Sequence, residues 1–165
     1  MAWETEMVTI LRHLIDDYVA DSDESVATYK HTRLEETILV SAQLAQTEGV
    51  NFTNTYTVDA DACTLSPDPT TGTKDNAFIN LVCLKAACLI LSSEYKTSAS
   101  QSVKIVDGPS TIDLTGQSGS LQKIAQSMCE RYEDAKVEFN MSGLLGQAVL
   151  TPYYTGETPY NGNFR

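Results

Sequence analysis

Residues 75–98 read DNAFINLVCLKAACLILSSEYKTS, and this stretch decides the fold. From Ala77 to Leu91 every residue is apolar except Asn80 and Lys85. A run of this length spans roughly 22 Å as an α-helix. It is longer than an ordinary strand of about 5–6 residues and shorter than the roughly 20 apolar residues a membrane crossing needs. Asp75 stands where a side chain can cap the helix start. A helix that is apolar all round belongs in the middle of a bundle. Lys85, inside the run, is expected to carry its ammonium to an edge along its aliphatic stem. The other segments are read as the cover of this helix.

Length and charge bound what that bundle does. The 165 residues suit one domain with a core that needs no staples. Eleven Lys and Arg stand against 22 Asp and Glu, for a net charge of −11. Gripping a phosphate backbone requires clustered cations that release counterions, and none cluster here. Direct nucleic-acid binding is therefore not expected, whereas an acidic wall lets DNA slide past. Cys63, Cys83, Cys88 and Cys129 contain no CxxC pair. Most of them are read as small buried hydrophobes, with neither a disulfide framework nor a metal site. The opening MAWETEM lacks the basic and apolar regions of a signal peptide, so production in reducing cytoplasm is expected. The triplets at Asn51 and Asn140 are then coincidental glycosylation matches.

Upstream of the central helix, Trp3, Met7, Ile10, Leu11, Leu14 and Tyr18 recur at helical spacing and predict a helix over 3–20. The acidic run Asp21, Asp23, Glu24 is read as a solvated turn. A calcium loop counted from Asp21 would place Val26 and Thr32 where Gly and Glu are required. A second helix is predicted over 32–47, with Thr32 and Glu35 as a capping box. Its small residues Ser41, Ala42 and Ala45 allow another helix to approach, and Glu48-Gly49 is a stop. Residues 52–65 alternate weakly and predict short strands or extended coil, followed by the Pro-Gly loop SPDPTTGTKD.

Downstream, residues 99–118 form a hairpin-like segment: Val103-Lys104-Ile105 as one strand, Asp107-Gly108-Pro109 as the turn, and Thr111 to Leu114 as the return. A lone two-stranded hairpin is marginal and needs support from its domain or a neighbour. The last helix is predicted over 119–141, with Leu121, Ile124, Ala125, Met128, Cys129, Tyr132, Ala135 and Phe139 as its apolar stripe. An arm follows over 143–165, carrying Leu144, Leu145, Tyr153, Tyr154, Tyr160 and Phe164 among prolines and glycines. Tyrosines in such a setting suit ordering on a partner.

The expected fold class is mainly α: a four-helix, bundle-like subunit with a short β-hairpin or extended insertion and an extended C-terminal arm. The helical domain covers 1–142. No nucleophile–base pair, paired carboxylates, metal cluster or phosphate loop stands out. Catalytic, cofactor-binding and metal residues are accordingly expected to be none. His13, His31, Cys63 and the acidic turn are the only polar material for an enzyme assembled from distant residues. The expected partner contacts are Val103, Ile105, Asp107, Gly108, Ile112 and Leu114 in the hairpin, with Leu144, Leu145, Tyr153, Tyr154, Tyr160 and Phe164 in the arm.

Several stretches together resemble the head-to-tail adaptor proteins of tailed phages, also called head completion or neck connector proteins. They are YKHTRLEETILVSAQLA (29–45), DNAFINLVCLKAACLILSSE (75–94) with its Lys-Ala-Ala core, IVDGPSTIDL (105–114), and 121–139 with Cys129-Glu130-Arg131-Tyr132-Glu133. The order of elements matches as well, while the Tyr- and Pro-rich arm departs from the family pattern. The resemblance implies a virion protein at the neck, made in the host cytoplasm. It implies a cyclic ring, usually of twelve subunits, with the portal protein above, a stopper or tail-side neck protein below, and DNA passing through without sequence-specific binding. No membrane partner or cofactor is implied. A stopper, tail-completion or terminator subunit is the alternative within the virion, and a small helical enzyme the alternative of another class.

Overall fold

Asp75 starts the central helix by accepting the Phe78 amide on its carboxylate at 3.0 Å, which satisfies one of the free donors of the first turn. In the computed structural model this helix is α3, Asn76–Gln101. The structure describes residues 3–17, 27–101, 104–107, 110–113 and 115–142, with backbone alone over 101–118 and at 142. Around α3 stand α1 (Trp3–Leu14), α2 (His31–Thr47) and α4 (Thr115–Ser142). Two antiparallel hairpins complete the described residues: β1 (Thr57–Asp59) with β2 (Thr64–Ser66), and β3 (Lys104–Asp107) with β4 (Ser110–Asp113). The protein is a mainly helical bundle with a β-hairpin inserted between its last two helices.

The core follows from the all-round apolarity of α3. Phe78, Ile79, Val82, Cys83, Ala86, Ala87 and Ile90 are buried. They meet Met7, Val8 and Leu11 from α1 and Leu34, Ile38, Leu39 and Ala42 from α2. The first hairpin covers one end of this core: Tyr56 stacks on Phe78 with ring centroids 3.7 Å apart, and Leu65 is buried beside them. The Tyr56 hydroxyl donates to Asp75 at 2.8 Å, so the helix cap is tied to the aromatic lid. A second, smaller cluster of Ala45, Val50, Leu81 and Tyr132 joins α4 to the bundle. By length and composition α3 is one helix able to cross a membrane, with mean hydropathy 1.6 over its most apolar 18-residue window. The sequence estimate counted only its apolar run, whereas the helix continues through Ser92 to Gln101. Half of the apolar window is buried against the other elements.

Several expectations are corrected. The first helix ends at Leu14 rather than reaching residue 20. Asp16 adopts a left-handed conformation (φ 57°), a region Asp enters more readily than most residues. The Asp17 amide then donates back to the Arg12 carbonyl at 2.9 Å. Residues 18–26, including the acidic turn, lie outside the described residues. The capping box at Thr32 is absent: α2 starts one residue earlier, with Lys30 as an extended N-cap that makes no side-chain cap bond, and Glu35 pairs with His31 instead. The hairpin insertion is shorter than residues 99–118, because α3 runs on to Gln101 and α4 starts at Thr115. Ile124 leaves the α4 stripe and is 52% exposed, since the buried side of α4 centres on Ala125 and Tyr132.

The cysteines are the largest correction. Cys88 and Cys129 form a disulfide across α3 and α4, with Cα atoms 4.9 Å apart. A hydrophobic stripe records that each faces a neighbour, and only packing puts the two opposite each other. Cys63 and Cys83 are free, and Cys83 is buried as expected.

Candidate interaction surface

The last two helices give the molecule two ends. Cys88 bonds Cys129 midway along them. Ala77, near the start of α3, shares a groove with Phe139, near the end of α4, so the two helices run antiparallel. The β3–β4 hairpin that joins them therefore sits at one end of the pair. The chain leaves α4 toward residue 143 at the other end.

At the hairpin end, Ile105 pairs with Ile112 and Asp107 with Ser110 in the strand register. This joins three of the expected contact residues, Ile105, Asp107 and Ile112, in one ladder. Val103, Gly108 and Leu114 lie outside the described residues, as do Leu144, Leu145, Tyr153, Tyr154, Tyr160 and Phe164 in the arm.

At the arm end, α2 stops in a Schellman turn. Gly49 takes φ 77°, and the Val50 amide reaches the Ala45 carbonyl while the Gly49 amide reaches Gln46. Beside this turn, Glu48 gathers three elements. Its carboxylate accepts from Lys85 of α3 at 2.5 Å and from the Tyr132 hydroxyl of α4 at 2.7 Å. Lys136 stands 3.5 Å away and also pairs with Glu133. Both ammonium groups lie over the Tyr132 ring, Lys85 at 4.5 Å and Lys136 at 5.3 Å from its centroid. Partial burial alone would raise the Glu48 carboxyl. The hydrogen bonds from Lys85 and Tyr132, with the charges of Lys85 and Lys136, outweigh it and hold the carboxyl below its ordinary value. The Tyr132 phenol is pushed up by burial and by the Glu48 carboxylate. The arrangement ties helices together, and its charges are spent on one another.

A second polar tie closes the α1–α2 connection. Asp17, 7% exposed, accepts from Arg12 at 2.7 Å and from the amides of Thr28 and Tyr29 at 2.8 and 3.4 Å. Arg12 also donates to the Tyr29 carbonyl at 3.1 Å. Sequence reading missed both ties, treating Asp17 as one of two adjacent acids and Glu48 as a helix stop. The available signal was Lys85, a cation in an apolar helix that needs an anion at the edge it reaches.

Two of the polar candidates for chemistry, His31 and Cys63, share Glu35 as a neighbour. His31 Nε2 lies 3.3 Å from Glu35. Cys63 sits at a left-handed position (φ 53°) after the β1 strand. Its thiol is pushed up by burial and by the charges of Glu35, Glu36 and Glu4, which disfavours the nucleophilic thiolate. Burial also raises the Cys83 thiol to about 12. Among the described residues no group of three or more His, Cys, Asp and Glu gathers as a metal site.

Large apolar side chains are also exposed on the surface. Val137 and Met141, each 52% exposed, are one turn apart on the side of α4 turned away from Tyr132. Ile124 lines a shallow groove with Met128 and Arg131, and Val40 is exposed on α2. No family model, curated protein or solved structure matches the chain.

Proposed function

We propose that this protein is a structural ring subunit of a phage neck, an adaptor between the portal and the tail-side proteins that continues the DNA channel. The observation that carries the reading is the polarity of the α3–α4 pair, with a two-stranded hairpin at one end and the departing arm at the other. A subunit that stacks between two different rings needs distinct contact elements at its two ends. A cyclic ring also needs two different complementary patches along its flanks, and the exposed apolar residues of α4 and Val40 of α2 supply material for them. The element order also agrees with the stretches that resemble head-to-tail adaptors. The excess of acids suits a channel through which DNA moves without being held. The role is non-enzymatic, and the partners are further copies of the chain, the portal and a stopper or tail-side protein.

Assembly is templated by the portal. Its fixed array of sites makes each later contact cost less association entropy, so the free subunit is a monomer. Native mass spectrometry of the chain alone and with its cognate portal tests this. A monomer that joins the portal as one complete ring supports the reading. A folded chain that never joins the portal at any ratio overturns it and favours a stopper or a non-viral helical module.

A further inference from the structure

In a chain with twice as many acids as bases, a cation without a carboxylate is the unusual charge. Arg12, Lys74, Lys85 and Lys136 each have one. Lys123 and Arg131 of α4 make no ion pair among the described residues, and Glu130, next to Arg131, accepts from Gln126 at 2.9 Å instead. The two cations stand about 12 Å apart along the helix axis. Ile124, 52% exposed, and Met128 lie between them, and together with Ser127 these side chains line a shallow groove of about 310 Å³. We infer that this basic, apolar patch receives the outer face of α2 from a second copy of the chain. The inference rests on the ring reading for its setting and names one contact between neighbours.

The occupant is argued from charge complementarity. Residues 1–91 hold 14 Asp and Glu against five Lys and Arg, so the body of a second copy is drawn to cations that no acid has neutralised. Within that body, α2 offers a face of matching pattern. Val40 is 43% exposed. Glu36 stands one turn before it and Gln43 almost one turn after, and both are exposed. Glu36 makes no ion pair among the described residues, whereas Glu35 is taken by His31. Arg33, three residues before Glu36, lies over the Tyr29 ring at 5.0 Å. When Val40 sits between Ile124 and Met128, Glu36 lies about 6 Å away along its own axis. Lys123 and Arg131 lie about 4.5 and 7.5 Å from the same point along theirs, so either crossing sense sets the carboxylate beside a cation. The apolar residues supply the burial and the charges select the partner. The two faces belong to different helices of the subunit, so the contact joins unlike patches, as closure of a cyclic ring requires.

The test uses the full chain carrying the photo-crosslinking residue p-benzoylphenylalanine in place of Ile124, mixed from light- and heavy-nitrogen preparations, with and without the cognate portal. Irradiation followed by peptide mapping is expected to give mixed light–heavy crosslinks to residues 36–43, at a yield that rises with protein concentration. Glu36→Lys should lower that yield at least about tenfold. Adding Lys123→Glu and Arg131→Glu to the same chain should restore it. All three positions are exposed, so the circular dichroism spectrum and the unfolding midpoint should stay unchanged. Absence of mixed crosslinks to residues 36–43 at every concentration, with and without the portal, would overturn the inference. So would a yield indifferent to Glu36→Lys, or no recovery in the triple variant. The ring reading fails separately: mixed crosslinks in a chain that never joins the portal in native mass spectrometry would keep this contact and remove the ring.

Discussion

The α1–α2–α3 core and the seam that attaches α4 are held by different physics. In the core, α1 and α2 bury aliphatic side chains against α3, and polar groups take part at its margin through the Arg12–Asp17 clamp. At the seam the fully enclosed cluster is small: Tyr132 of α4 meets Ala45, Val50 and Leu81. The rest of the attachment near it is the Cys88–Cys129 disulfide and the Glu48 knot. The sequence explains the contrast. Helix α3 is apolar on every side, while α4 carries Glu130, Arg131, Glu133, Asp134, Lys136 and Glu138 within three turns. A helix so charged buries a narrow stripe, and specific polar and covalent ties reinforce the contact along it.

Truncation in the core should have the largest effect. Phe78 is fully buried, stacked on Tyr56 and edge-on to Phe52 at 5.0 Å. Phe78→Ala should cost about 3–5 kcal/mol in urea unfolding, and a loss below 1 kcal/mol would mean that the aromatic lid collapses into the space. Next comes the covalent tie. Replacing Cys88 and Cys129 together by Ser should cost about 2–4 kcal/mol against the oxidised protein, because the bond closes a 41-residue separation. Thiol titration of the unfolded oxidised chain should then find Cys63 and Cys83 alone. If the double variant matched the oxidised wild type, the seam would not depend on the bond.

The Glu48 knot should matter less, since its carboxylate is partly open to water. Glu48→Gln should cost about 1–2 kcal/mol at neutral pH. Its acid dependence sharpens the assignment. The folded carboxyl is held low, so its contribution is present above the unfolded value of about 4.3 and is lost as pH falls through the folded value. The wild type should therefore lose its advantage over the Gln variant in acid, and an advantage constant from pH 7 to pH 2 would contradict the linkage. The smallest effect belongs to the outer face of α4. Val137→Ser and Met141→Ser should each change stability by no more than about 0.5 kcal/mol while weakening association with the portal or between copies. A large stability loss would show that this face is covered within the subunit.

Much of the fold was legible because it rests on local signals. The apolar run around Ala77–Leu91, Asp75 as the cap and Gly49 as the stop each act within a few residues of themselves. Periodicity also marked Met7, Leu11, Leu34, Ile38 and Tyr132 as inward-facing, and they are buried. Boundaries were less legible. Helix α1 stops where Asp17 is drawn away to Arg12 and to the amides of Thr28 and Tyr29, and those amides lie more than ten residues downstream. The hairpin candidates were legible as a strand pair, with Ile105 opposite Ile112.

The sequence by itself therefore determined the helical class, the central position of α3 and the hairpin before α4, since backbone propensity and apolar spacing are carried by neighbouring residues. Only the tertiary structure decided that Cys88 meets Cys129, that Lys85, Tyr132 and Lys136 converge on Glu48, and that Ile124 faces outward. Those outcomes depend on the rotation and offset of whole helices against one another. Such offsets follow from the summed packing of α1, α2 and α3 rather than from any single stretch of chain.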